Sequence, residues 1–149
     1  MALGPPRRLI AVVLLAAAAG GCPKSGDPVE VAVRSLARSA SERDAPAIVS
    51  LLSPSFQAAD GASRGDVERE IRRLFSAYSA VDVRVADLAI ERFPDFSLAR
   101  FRVDFRGTAR RVGGLEALLP PSARYRFELR FKPPGPRAKI ENAFWEELR

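Results

Sequence analysis

The residue pattern predicts an α+β domain, with three helices followed by four antiparallel strands and the helices packed on one face of a curved, cone-shaped sheet. Three observations carry this prediction. Apolar residues recur at helical spacing from Val29 to Tyr78. After Ser79 the period drops to two, and clean alternation on three segments says that the outer sheet face meets water. Turns containing proline, Phe93–Phe96 and Pro133–Pro136, separate the alternating segments.

Each element has a local cause. Asp27, Pro28 and Glu30 supply an N-cap, a first-turn proline and the acid of a capping box. Val29, Val33, Leu36, Ala37 and Ala40 follow on one face. Asp44 caps a second, short helix through Ala47, Ile48, Leu51 and Leu52, which Ser53-Pro54 ends. Gln57 to Ala62 reads as a loop. Ser63 to Asp66 is another N-terminal box, opening a long helix with Val67, Ile71, Leu74, Phe75 and Tyr78 on one face. Glu68, Arg69, Arg72 and Arg73 face water.

In the first strand Val81, Val83 and Val85 alternate, and the apolar parity then moves to Ala86, Leu88 and Ile90. That switch marks a bulge near Ala86-Asp87. In the second strand Ala99, Phe101, Val103 and Phe105 oppose Arg100, Arg102, Asp104 and Arg106. A connection rich in Gly and Pro follows, with one helical turn expected over Leu115 to Leu119. Tyr125, Phe127, Leu129 and Phe131 then oppose Arg124, Arg126, Glu128, Arg130 and Lys132, and Ala138, Ile140, Phe144 and Trp145 belong to a last strand. The two aromatic faces are expected to pack on Val67, Ile71, Leu74 and Phe75 of the long helix.

Ahead of the domain, Arg7 and Arg8 precede the apolar run Leu9–Ala19, and Gly20-Gly21 precede Cys22, the chain's one cysteine. A basic segment, an apolar segment and small residues form an export signal in the required order. The run is shorter than the roughly 20 residues a bilayer span needs. The segment resembles a bacterial lipoprotein signal, with Ala19-Gly20-Gly21-Cys22 as its lipobox. The resemblance implies cleavage before Cys22, diacylation of the thiol and acylation of the new amino terminus. An ordinary secretory signal and twin-arginine export are the alternatives. The expected organisation is a signal peptide over 1–21, a lipidated cysteine and tether over 22–27, and one domain over 28–149. The chain would then be lipid-anchored in the cell envelope, in the outer membrane facing the periplasm if the cell is Gram-negative.

Composition limits the chemistry. With no histidine, the commonest general base and metal ligand is absent, and with Cys22 acylated no thiol is left. A serine nucleophile has no histidine to activate it. No metal or cofactor is expected. The formal charge of +6 falls to +4 once Arg7 and Arg8 leave with the signal. The basic residues are nearly all arginine, which GC-rich coding produces by default, and no run of bases interleaved with aromatics points to nucleic acid.

Arg43-Asp44-Ala-Pro-Ala-Ile-Val-Ser-Leu-Leu52 with Pro54-Ser-Phe56, Ser63-Arg-Gly-Asp66 opening a helix that ends at Tyr78, the bulged strand after it, and Lys139-Ile140 followed by Trp145 together resemble the nuclear transport factor 2-like family (SnoaL-like, the cystatin-like α+β cone). The resemblance covers residues 28 to 147 and implies a cone-shaped cavity between the long helix and the sheet. It implies no particular reaction. Family enzymes such as ketosteroid isomerases use an Asp base with a Tyr and a protonated carboxyl. The candidates for such roles here are Tyr78, Asp82, Asp104 and Tyr125, and parity puts both aspartates on the water face. The expected pocket lining is Leu74, Tyr78, Phe101, Tyr125, Phe127 and Trp145. The outer face offers Arg100, Arg102, Arg124, Arg126 and Arg130 to an anionic envelope component, or simply to cross-strand ion pairs. Two functions follow: a lipid-anchored envelope module that binds a small apolar ligand without catalysis, or a small hydrolase, dehydratase or isomerase of the SnoaL-like type.

Overall fold

The computed structural model describes residues 26–111 and 118–149. In chain order the described elements are helices α1 (Pro28–Ser41) and α2 (Ala45–Ser50), strand β1 (Leu52–Ala58), helix α3 (Arg64–Ala77), and strands β2 (Tyr78–Arg92), β3 (Ser97–Ala109), β4 (Ser122–Lys132) and β5 (Lys139–Leu148). The signal segment and Cys22 lie outside the described residues, as does most of the helical turn expected over Leu115 to Leu119.

The helix starts follow their capping residues. Asp27 accepts the N–H of Val29 at 2.9 Å, but Glu30 pairs with Arg34 at 2.7 Å, so the expected box at α1 reduces to a single cap. Asp44 accepts the N–H of Ala47 at 3.0 Å and starts α2. At α3 the box is complete: Asp66 accepts the N–H of Ser63 at 2.9 Å and its hydroxyl at 2.6 Å. The Ser63 hydroxyl, then its N–H, hold the Asp66 carboxyl below the usual carboxylate range. Ser63→Ala removes both the cap and the hydroxyl's bond to Asp66. It should cost about 1 kcal/mol, read as a lower urea midpoint with an unchanged slope.

Antiparallel β2, β3, β4 and β5 form most of the sheet, with order β1-β5-β4-β3-β2. The expected bulge is present. The β2–β3 register shifts between Ala86 and Ala89, and Asp87 takes a left-handed φ of 55° there.

The fifth strand corrects the expected count. β1 pairs in parallel with β5, Leu52 opposite Ile140 and Ala58 opposite Ala143, so the sheet is mixed. Ser53-Pro54 ends no helix, since α2 stops at Ser50, and Gln57 and Ala58 are strand rather than loop. Proline is tolerated because β1 is an edge strand. Its register also shifts between Leu52 and Gln57, which breaks the alternation a reader could detect.

A second correction concerns the helix that fills the core. α1, rather than α3, fills the core against the sheet. Val29, Ala32 and Val33 are buried with Leu52, Phe56, Ala99, Phe101, Val103, Leu129, Phe131 and Ile140. α1 is also tied to β2, where the N–H of Val83 donates to Ser41 Oγ at 2.9 Å. No residue of α3 is buried, and Leu74 is 39% exposed. Only Val67 of the expected quartet packs against the core cluster. Both helices carry an apolar stripe, and periodicity shows that a face exists without saying what covers it.

Candidate functional site

The strand registers stack aromatic rings across the inner sheet face. Phe101 lies opposite Phe127, and Phe127 opposite Trp145. Their ring centroids are 5.5 Å apart at 5° and 6.1 Å apart at 25°. Burial falls along this row, from Phe101 at 4% exposed through half-buried Phe127 to Trp145 at 41%. The row therefore starts in the core and ends at solvent. Tyr125 meets Phe127 edge-on at 6.3 Å and lies opposite Glu147.

Tyr78 is the switch from α3 into β2 and is buried at the same end of the sheet. Its hydroxyl donates to the Pro120 carbonyl at 2.9 Å, and its own carbonyl accepts from Arg43 Nη1 at 2.8 Å. Its ring meets Phe105 edge-on at 5.3 Å. Gly107 makes this possible, because a Cβ there would stand 2.5 Å from two Tyr78 ring carbons. Burial raises the Tyr78 pKa, and burial raises that of Tyr125, reinforced by the charges of Glu147 and Tyr78. Both phenols therefore stay protonated at neutral pH, and that of Tyr78 donates its hydrogen bond to Pro120.

Of the six expected pocket residues, Phe101, Phe127 and Trp145 are stacked, Tyr125 joins them edge-on, and Tyr78 is buried beside Phe105. Leu74 stands exposed on α3. Two surface clefts are lined by other residues. One, of about 560 Å³, lies between β1 and the start of α3, against Phe56, Gly61, Ser63 and Arg64. The other, of about 380 Å³, lies on the outer sheet face against Phe96, Leu98, Arg130 and Phe144.

The outer arginines have partners on their own surface. Arg100 pairs with Glu91 and with Glu128 (2.8 Å), Arg102 with Asp87 (2.7 Å) and Asp104 (3.6 Å), and Arg126 with Glu146. The Arg130 guanidinium lies 4.0 Å over the Phe96 ring. Arg124, also on this face, is exposed and lies opposite Asp104 and Leu148. Asp82 pairs with Arg84 at 3.0 Å. Both candidate aspartates thus have an arginine partner, Asp104 through Arg102. No group of three metal-ligating side chains occurs among the described residues.

Glu147, Arg43 and Gly107 escaped the sequence reading. Glu147 shares the strand parity of Trp145, a signal that was available. Arg43, named above only as part of the second-helix segment, takes a left-handed φ of 56° between α1 and α2.

No family model matches the chain, and no curated protein matches it. Solved structures do. A nuclear transport factor 2-like superfamily protein from Salmonella enterica serovar Typhimurium superposes with a TM-score of 0.64 at 16% identity, over 82% of this chain and 91% of that one. The fold is that of the nuclear transport factor 2-like proteins. A second neighbour, hexachlorocyclohexane dehydrochlorinase LinA-type3 from Novosphingobium barchaimii, has a TM-score of 0.67 at 8% identity, over 82% and 85% of the two chains. Bd1075 of Bdellovibrio bacteriovorus superposes with a TM-score of 0.66 at 13% identity over 80% of this chain. The chain spans 40% of the length of Bd1075.

Proposed function

We propose that this chain is a lipid-anchored cell-envelope module whose nuclear transport factor 2-like domain binds a small planar or apolar ligand. Cleavage before Cys22 and acylation of that residue would hold it to the membrane, facing the periplasm from the outer membrane of a Gram-negative cell. The observation that carries the binding reading is the stacked row Phe101–Phe127–Trp145. It offers an aromatic face that reaches solvent at Trp145, with the Tyr125 hydroxyl and the Glu147 carboxylate beside it as polar handles. Apolar walls with few polar groups are the usual make-up of a ligand site.

One observation favours an enzyme. Tyr125 and Glu147 lie opposite each other at the open end of the row. A phenol beside a carboxylate can donate to a developing oxyanion while the carboxylate takes a proton. LinA-type3 shows that an enzyme is carried on this fold, at 8% identity.

Calorimetric titration with planar aromatic and fatty acyl compounds, run beside a turnover screen, separates the two readings. Trp145→Ala should weaken binding about tenfold, the value of one aromatic stacking contact. Wild-type turnover that Tyr125→Phe abolishes would establish the enzyme and sink the binding module. Cys22→Ser should abolish palmitate labelling and leave uncleaved precursor in the membrane fraction. Labelling that persists in that variant would refute the anchor.

A further inference from the structure

The structure carries an orientation as well as an anchor. Asp27, the N-cap of α1, forms an ion pair with Arg92 at the end of β2. The chain therefore leaves the domain beside the β2–β3 turn. Phe93 opens that turn, is 40% exposed, and stacks on Phe96 at 4.5 Å. Arg92 lies opposite Ser97 and Ser97 opposite Phe131, so the β2–β3 turn shares one rim of the sheet with the β4–β5 turn. Arg92, Arg130, Lys132 and Arg137 stand on this rim with the acids Asp27, Glu91 and Asp95, of which Asp27 pairs with Arg92 and Glu91 with Arg100. Only four residues lie between Cys22 and Asp27, and the five steps from one to the other reach about 17–18 Å when extended.

We infer that this rim is the face that lies on the lipid surface, with Phe93 at the headgroup level and the basic side chains against anionic headgroups. An exposed aromatic side chain and neighbouring bases are what a membrane interface favours. The bilayer covers this rim because the chain leads from Asp27 here to the acylated Cys22. The aromatic row then crosses the sheet parallel to the membrane, four residues or about 13 Å above the rim. β3 runs from Ser97 at the rim to Ala109 opposite Tyr78, a length of about 40 Å at ~3.3 Å per residue. This inference rests on the acylation of Cys22 proposed above.

Trp145 is the chain's single tryptophan and stands in register with Phe127 and Phe101, about 13 Å above the rim. The full chain is bound to vesicles of phosphatidylethanolamine and phosphatidylglycerol that carry brominated acyl chains. Trp145 emission should be unquenched, whereas emission from the Phe93→Trp, Trp145→Phe chain should shift to the blue and lose at least half its intensity. Both substituted positions are exposed, so the fold should tolerate them. Quenching of Trp145, or none in the Phe93→Trp chain, overturns the orientation. Intact mass of the same sample reports acylation and separates the two failures. An unacylated chain that stays off the vesicles overturns both readings, and an unacylated chain still quenched through Phe93→Trp refutes the anchor and keeps the face.

Discussion

Phe131→Ala is expected to destabilise the domain by about 3–5 kcal/mol, the cost of removing a fully buried ring that its surroundings cannot refill. Phe131 is 0% exposed and lies between Ser97 of β3 and Ile140 of β5, both buried. Domain stability is typically about 5–15 kcal/mol, so the loss should move the urea midpoint far down or leave the chain unfolded at growth temperature. Position along the aromatic faces ranks the related variants. Phe101→Ala should approach the same cost, and half-buried Phe127→Ala should fall below both. Arg126→Ala removes an exposed pair with Glu146 and should stay within about 0.5 kcal/mol. Equal losses for Phe131→Ala and Arg126→Ala in denaturant melts would refute this assignment of the two sheet faces.

The second large effect comes from adding a single carbon. In Gly107→Ala the new Cβ would lie 2.5 Å from Tyr78 Cδ1 and Cε1 and 2.8 Å from Phe105 Cζ. Tyr78 cannot give way easily, because it is 1% exposed and held at its hydroxyl by Pro120 and at its carbonyl by Arg43. Overpacking of this kind costs about 1–3 kcal/mol. A double-mutant cycle identifies the cause. Tyr78→Ala opens the space that the new Cβ needs, so Gly107→Ala should cost much less in that background than alone. Additive losses would mean that Gly107 serves its own backbone and not the tyrosine ring.

What could be read from the chain alone was local. The Ser63–Asp66 box, the Asp44 cap, the turns at Phe93–Phe96 and Pro133–Pro136, and the bulge at Asp87 all arise from neighbouring residues. Their signals therefore stand in one short stretch of sequence. The face taken by Phe101, Tyr125 and Phe127 was legible for the same reason, since strand alternation has a period of two.

The rest depended on partners distant in sequence. β1 is a strand because its backbone finds β5 more than eighty residues later, against a Ser-Pro signal that reads locally as a stop. α1 rather than α3 fills the core because Ser41 reaches Val83 and Asp27 reaches Arg92, contacts no periodicity contains. Trp145 joins Phe127 because the β4–β5 register slips by one residue between Arg130 and Phe131. That slip places the buried Ile140 and the stacked Trp145 on the same face despite their opposite parity, and it sets Glu147 against Tyr125. Sequence by itself determined the capping, the turns, the bulge and two amphipathic helices, and it assigned the sheet to the wrong one of them. Tertiary structure decided which helix met the sheet and which ring met which, because hydrophobic burial is non-directional and takes its geometry from registers and contacts that long-range pairing sets.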